Sequence, residues 1–144
     1  MRRKFYIVLL LSLILIVHTN IQNIQASFTR LFIYAGDKTY LGCLTDNKYS
    51  TESVWNKYGT YGSKYSDKSI WNKYGTYGSP YGQYSPWNEY TNNAPVIVDQ
   101  DWNFYGYFTA NKYHKDRTRI EFCLWILDNY DYIIENFDEV ADLF

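Results

Sequence analysis

The residues of this 144-residue chain whose types and spacing could do chemistry are aromatic. Trp55, Trp71 and Trp87 stand 16 residues apart, and each lies within the pattern Ser-x-Trp-Asn. Tyrosine and tryptophan combine an apolar ring with a polar atom, so partly exposed rings can stack on a ligand while Asn and Ser supply hydrogen bonds. The chemistry that this pattern predicts is recognition by stacking, not bond cleavage.

Four tyrosines recur at equivalent places in the first two repeats, each beside a glycine that cannot cover its ring. We expect these rings to be exposed and to bind the ligand: Tyr58, Tyr61, Tyr74 and Tyr77. The three tryptophans lie beside Val54, Ile70 or Pro86, which indicates a repeated packing contact and a structural role. Residues 49–94 hold nine Tyr but only three aliphatic residues, so the tyrosines could instead fill a fold without Leu or Phe. Both interpretations stay open at this point.

Tandem repeats must position these rings. The segments YSTESVWNKYGTYGSK at 49–64 and YSDKSIWNKYGTYGSP at 65–80 are identical at 12 of 16 positions, and a third copy starts as YGQYSPWNEY. A 16-residue period leaves room for one tight turn and one short extended piece. The Ser before and the Asn after each Trp are expected to bond nearby backbone groups. Positive φ in the turns is expected at Gly59, Gly62, Gly75 and Gly78.

Conventional secondary structure flanks the repeats and predicts an α+β, loop-rich fold. Upstream, the extended runs 29–35 and 39–44 are separated by Gly36-Asp37-Lys38, which is a β-hairpin signal. Downstream, residues 95–99 and 104–109 form a second such pair. The two hairpins are expected to supply the strand packing that the repeats lack.

Residues 118–144 change to a helical period. Apolar residues from Ile120 to Phe144 alternate by three and four positions, which predicts one long amphipathic helix or two with a break near Asp128-Asn129. Residues 120–144 carry seven acidic residues and no basic one, whereas residues 27–119 have a net charge of +3. We favour an acidic, solvated helix face, and an interaction tail is the alternative.

The N-terminus predicts export. Residues 2–4 are Arg-Arg-Lys, and residues 5–17 form an apolar run broken only by Ser12. A helix of that length spans about 20 Å against about 30 Å of bilayer hydrocarbon, so a signal peptide is favoured over a membrane span. We expect a signal peptide at residues 1–26, cleavage after Ala26 and a single domain at 27–144, secreted or at the cell envelope. An uncleaved signal anchor is the alternative.

Signatures of catalysis, cofactors and metals are missing from the sequence. It has no Walker, dinucleotide-binding or HExxH pattern. His114 is the single histidine after residue 26, and we expect a surface residue there, so no catalytic residue, cofactor or metal ligand is predicted. The pattern Asp99-x-Asp101-x-Asn103 opens like a calcium loop, but Phe104 stands where glycine is required, which favours a polar turn.

The two cysteines leave two interpretations open. Cys43 and Cys123 lack the spacing of metal ligands. In an exported protein they can pair in a disulfide. They can equally be two buried thiols, because both lie on apolar stripes.

The segments SVWNKYGTYGSKYS and SIWNKYGTYGSPYGQYSPWN, followed by PVIVDQDWNFYGYFT, resemble a group of uncharacterised small exported bacterial proteins with tandem S-[IV]-W-N-x-Y-G-x-Y-G-S repeats. The resemblance covers about residues 39–119. It implies export and a repeat architecture, and it implies no enzymatic activity. In that group a glycine stands where this chain has Trp102, which argues against an easy positive-φ turn at this position.

Two functions from different classes fit these observations. The first is a non-catalytic exported binding module that takes a cell-envelope or extracellular glycan through exposed Tyr and Trp rings. The alternative is a structural or protein-interaction scaffold of the cell surface with no small ligand. Exposed rings on one face favour glycan stacking, whereas scattered or buried rings favour a scaffold. Nucleic acid is not an expected partner, because the net charge is −1 and residues 49–94 contain no Arg.

Overall fold

The computed structural model describes Ser12 and residues 29–144. The signal peptide predicted for residues 1–26 therefore lies outside the described residues, apart from Ser12. The α+β class is confirmed, since a four-stranded antiparallel sheet is followed by three short helices near the C-terminus. Within the described part of the chain, no helix combines the length and the apolar content needed to cross a membrane.

The sheet is made from two segments that lie on either side of the repeats. Its strands are β1 (Phe32–Tyr34), β2 (Tyr40–Cys43), β3 (Val96–Val98) and β4 (Phe104–Tyr107). Their spatial order is β2-β1-β3-β4, and every neighbouring pair is antiparallel. Ile33, Leu41 and Ile97 are fully buried on the core side of the sheet. In β1 a buried residue lies between two half-buried ones, which sets this orientation.

The two halves of the sheet repeat each other at a separation of 64 residues. YLGCLTDNKY at 40–49 matches FYGYFTANKY at 104–113. Among the described residues, the non-glycine residues with positive φ are Lys38 and Trp102, at 70° and 62°. Gly42 and Gly106 have φ of 107° and 100° where the strand register shifts. Trp102 thus adopts a left-handed backbone conformation, which residues with a bulky side chain rarely adopt. β1 and β3 pair through Ile33 and its equivalent, so a pseudo-twofold axis passes through the sheet.

Each repeat is attached to the preceding one through its tryptophan. The indole N–H of Trp71 donates to the carbonyl oxygen of Val54 at 2.6 Å, and that of Trp87 donates to Ile70 at 2.5 Å. Trp55 makes the equivalent bond to the carbonyl of Leu44, just after β2, at 2.9 Å. The strand end therefore fixes the first repeat, and each repeat fixes the next.

Polar side chains fold the backbone inside each repeat. In the second repeat, the hydroxyl of Ser69 accepts the N–H of Trp71 at 3.1 Å. The side chain of Asn72 donates to the carbonyl of Ser66 at 3.1 Å and accepts the N–H of Tyr74 at 3.2 Å. The first and third repeats contain the same three bonds at 3.0–3.2 Å. These side-chain bonds satisfy backbone N–H and C=O groups that would pair with each other in a sheet or a helix.

The repeat glycines serve close packing of the backbone. In the described residues, the glycines with positive φ are Gly42 and Gly106, so the expected positive φ in the repeat turns is wrong. A Cβ at Gly62 or Gly78 would collide with the backbone of Asn56 or Asn72. Only a residue without a side chain lets the two chain segments approach this closely.

The three tryptophans form the centre of the core, which we call the Trp column. Ring centroids of Trp55 and Trp71 lie 5.4 Å apart, as do those of Trp71 and Trp87. Phe144 stacks on Trp55 at 4.3 Å, and Tyr130 packs on Trp87 at 4.4 Å. The C-terminal helices thus cover the column along its length.

The predicted C-terminal helical segment, residues 118–144, contains three helices: the break expected near Asp128-Asn129 is present, and a second break follows at Asn136. Its parts are α1 (Glu121–Asp128), α2 (Tyr130–Glu135) and α3 (Phe137–Ala141). At each break an asparagine side chain takes a carbonyl four residues earlier: Asn129 donates to Trp125 at 2.7 Å and Asn136 to Tyr132 at 2.9 Å. Their φ values near −122° leave the helical range. At Asn129 the side chain takes the Trp125 carbonyl and the backbone N–H bonds instead to that of Ile126 at 3.3 Å. At Asn136 the Tyr132 carbonyl accepts both the side chain and the backbone N–H, each at 2.9 Å.

Candidate functional site

An open groove of about 1220 Å³ lies between the repeats and the segment α2–α3. One wall consists of three consecutive Lys-Tyr dipeptides, which we call the Lys–Tyr edge: Lys57-Tyr58, Lys64-Tyr65 and Lys73-Tyr74. The other wall is acidic and apolar, and its residues include Tyr130, Ile134, Glu135, Phe137, Asp138 and Glu139. Trp71 and Asn72 also line the groove, so it runs beside the Trp column.

Short hydrogen-bonded turns direct the tyrosine rings of the Lys–Tyr edge outward. The N–H of Tyr58 donates to Asn56 at 3.1 Å, and the N–H of Tyr65 donates to the hydroxyl of Ser63 at 3.2 Å. Tyr74 makes the corresponding bond to Asn72. The three tyrosines are 88%, 81% and 86% exposed. A fixed backbone therefore presents each ring to solvent.

Each tyrosine of the edge carries an ammonium group over its ring. The Nζ atoms of the preceding lysines lie 5.3, 5.2 and 5.0 Å from the ring centroids of Tyr58, Tyr65 and Tyr74. These distances are within the range of a cation–π contact. The ammonium occupies one face of the ring, so the other face is available to a ligand.

The acidic helices neutralise part of this positive charge. Asp138 of α3 accepts a hydrogen bond from Nζ of Lys57 at 2.8 Å, and this bond raises the pKa of the lysine. Asp142 pairs with Lys48 and raises its pKa in the same way. Among the described residues, Lys64 and Lys73 form no ion pair. The free positive charge of the groove therefore lies at these two residues.

The structure does not bring the four sequence-predicted tyrosines together. Tyr58 and Tyr74 line the groove. Tyr61 instead packs edge-on against Tyr40 of β2 at 5.0 Å, and burial raises the pKa of its hydroxyl. The hydroxyl of Tyr77 donates to Asp37 at 2.8 Å and lies 3.0 Å from that of Thr39 in the first hairpin. The predicted structural tryptophans, Trp55, Trp71 and Trp87, are all buried.

Tyr65 and the three lysines of the edge line the groove but do not follow from the glycine pattern, because Tyr65 has no glycine beside it. The residue before each tyrosine distinguishes the tyrosines of the groove from those that face the sheet. Lysine precedes Tyr58, Tyr65 and Tyr74, whereas threonine precedes the two tyrosines that face the sheet.

His114 and Asp99 are engaged in structural contacts. The ring of His114 packs on Tyr107 at 4.5 Å, and its Nδ1 accepts the N–H of Asp116 at 3.2 Å. The carboxylate of Asp99 accepts hydrogen bonds from Asn103 and from the hydroxyl of Tyr105, at 2.8 and 2.9 Å, which hold its pKa below the usual range. Within the described residues, no group of three or more His, Cys, Asp or Glu could hold a metal ion.

The two cysteines are separate, buried thiols in the structure. Sγ of Cys43 lies 3.5 Å from the hydroxyl of Thr45. Burial raises the pKa of Cys123 to about 12, and burial also raises that of Cys43. Since the thiolate is the reactive form, both groups are protected from oxidation and alkylation in the folded protein.

The groove is thus the place where exposed aromatic rings, unpaired ammonium groups and space for a ligand coincide. Its rigidity comes from the Trp column beneath it and from the turns of the repeats. It offers stacking, hydrogen bonding and charge. No family model, curated protein or solved structure matches this chain, so the chemistry of the groove carries the functional assignment.

Proposed function

We propose that this protein is a non-catalytic binding module that takes a glycan in the groove between the repeats and α2–α3. The observation that carries the proposal is the Lys–Tyr edge, where three exposed rings recur along one wall. Sugar rings have apolar faces that stack on aromatic side chains, and their hydroxyls bond to polar neighbours. A row of similar rings suits a polymer of similar units.

Several weak contacts along one chain give the binding strength expected of such a site. A stacking contact is worth about 0.5–1.5 kcal/mol by analogy with aromatic pairs. Three contacts on one polymer reinforce each other, because the second and third bind at high effective concentration. The turns that fix the backbone before binding reduce the loss of conformational entropy.

The test is binding of the purified protein to insoluble cell-wall polysaccharide. The double substitution Tyr58→Ala and Tyr74→Ala should weaken binding about tenfold or more, since 1.4 kcal/mol corresponds to a factor of ten. The matched control is Tyr113→Ala, because Tyr113 is exposed in the same Asn-Lys-Tyr turn and does not line the groove. Unchanged affinity in the double variant, or equal loss in the control, would contradict the proposal.

We also propose that the protein is exported, with cleavage after Ala26. The support is the Arg-Arg-Lys start and the short apolar run that follows it. Mass spectrometry of cell and medium fractions should find a chain that begins near Ser27 outside the cytoplasm. Full-length protein retained in the cytoplasm would contradict export.

A second candidate function is a scaffold that binds another protein at the cell surface. The observation that favours it is Trp102, which is 67% exposed and holds positive φ at the β3–β4 turn. Its ring packs on Tyr34 of β1 at 4.9 Å and extends an aromatic surface on the outer side of the sheet. Absence of glycan binding, together with loss of a protein partner in Trp102→Ala, would favour this function over the first.

A further inference from the structure

We infer that the glycan bound in the groove carries carboxylate groups, and that Lys64 and Lys73 hold them. This inference rests on the proposed function and specifies its ligand class. The two ammonium groups lie 5.2 and 5.0 Å from the ring centroids of Tyr65 and Tyr74. A sugar stacks on the free face of either ring, opposite the ammonium, and the long flexible lysine side chain can reach a carboxylate that extends past the edge of the ring.

The places for ligand anions follow from which lysines already have a carboxylate partner in the protein and which do not. Lys57 carries the same contact with its tyrosine, but Asp138 already neutralises it at 2.8 Å. Lys48 is neutralised by Asp142. Within the described residues, Lys64 and Lys73 have no such partner, although they lie in the same groove wall as Lys57. A ligand anion can pair with these two lysines without displacing a carboxylate of the protein.

The opposite wall limits how densely the ligand can be charged. Glu135, Asp138 and Glu139 line the groove across from the Lys–Tyr edge. A polymer with charge on every unit and on both sides, such as a nucleic acid, would meet like charge at this wall. A glycan with one carboxylate per sugar can turn its charged edge toward the lysines and its hydroxyls toward the acidic wall. The arrangement therefore favours an acidic polysaccharide over a polyphosphate.

The experiment compares binding to insoluble cell-wall polysaccharide before and after chemical reduction of its carboxyl groups to alcohols. The purified protein should bind the native material at least tenfold more tightly, and added salt should weaken that binding. The double substitution Lys64→Gln and Lys73→Gln should remove most of this preference for the native over the reduced material. Lys68→Gln is the matched control, since Lys68 is exposed in the same repeat as Lys73 and does not line the groove.

The outcomes separate the inference from the proposed function. Equal binding to native and reduced material would overturn the acidic ligand and leave glycan binding in place. Equal loss in Lys68→Gln would show that general surface charge is responsible and would also overturn the inference. Stronger competition by RNA than by soluble polygalacturonate would replace the carboxylate with a phosphate polymer. Binding to neither material would contradict the proposed function itself.

Discussion

The Trp column and two tyrosines of the Lys–Tyr edge, Tyr58 and Tyr74, follow the same 16-residue period, but their environments are opposite. Trp71 is 2% exposed and Tyr74, three residues later, is 86% exposed. The indole N–H of Trp71 bonds to the preceding repeat, whereas the N–H of Tyr74 belongs to a local turn that leaves its ring free. The period establishes which residues are equivalent. The hydrogen bonds of each position decide whether its ring is inside or outside.

The tyrosines that face the sheet are an intermediate case. Tyr61 and Tyr77 occupy equivalent places in their repeats, and each is half-buried against the first hairpin. The repeat segment therefore has one edge fixed to the sheet and one edge that borders the groove. Substitutions at the Trp column, the fixed edge and the Lys–Tyr edge should rank in that order in their effect on stability.

The largest effect is expected from Trp71→Ala. Removing this ring should cost about 3–5 kcal/mol, because it leaves a cavity between two neighbouring rings. A domain with about 5–15 kcal/mol of stability would then be close to unfolding. Thermal unfolding followed by circular dichroism measures the change. Trp102→Ala is the control, and a comparable loss there would contradict the distinction between column and surface.

The buried thiols should make the stability of the protein fall at alkaline pH. Cys123 is neutral in the folded protein with its pKa raised from near 9 to about 12, so its contribution to stability is complete below pH 9. That contribution should be lost progressively as pH rises from 9 toward 12, because the unfolded thiol ionises first. Iodoacetamide at pH 8 should modify neither cysteine until the protein unfolds. Rapid labelling of the native protein, or a disulfide found by mass spectrometry, would contradict two buried thiols.

Gly62→Ala should destabilise the protein by about 1–3 kcal/mol, the usual cost of overpacking. The added methyl would meet the backbone of Asn56, which cannot move away as a flexible side chain can. Gly59→Ala is the matched control, because its methyl would contact the side chain of the same Asn56 at 3.1 Å. Unfolding in urea compares the two, and equal losses would show that backbone approach is not the reason for Gly62.

The sequence predicted the α+β class, and its 16-residue period identified the equivalent Trp and Tyr residues of the repeats. It did not predict which tyrosines face the sheet, because that depends on the first hairpin, about 40 residues away from Tyr77 in the chain. The sequence predicted one long C-terminal helix or two with a break near Asp128-Asn129. The break at Asn129 is present, but the second break, at Asn136, was not predicted because periodicity does not register the bond from its side chain to the carbonyl of Tyr132. The groove depends on the packing of α2–α3 beside the repeats, which no local pattern contains.

Tyr77→Phe tests the fixed edge and should cost about 0.5–1.5 kcal/mol, the usual net value of a hydrogen bond. The hydroxyl that is removed bonds to Asp37, so the tie between the second repeat and the first hairpin is weakened while ring packing stays. Tyr61→Phe is the control, since Tyr61 contacts Tyr40 through its ring, which the substitution keeps. Thermal midpoints of the two variants should differ, and equal midpoints would show that the Tyr77 hydroxyl contributes nothing.

The smallest change in stability is expected from Tyr74→Ala, within about 0.5 kcal/mol of the unchanged protein. Its ring is exposed, and the N–H that bonds to Asn72 remains after the substitution. Tyr77→Ala, three residues later, removes both the bond to Asp37 and the ring beside Tyr84, so its thermal midpoint should fall clearly further. In glycan binding the order should reverse, with the loss in Tyr74→Ala and little change in Tyr77→Ala. A variant that loses stability and affinity together at Tyr74 would show that this ring supports the fold, and the Lys–Tyr edge would then be part of the scaffold instead of a surface that binds ligand.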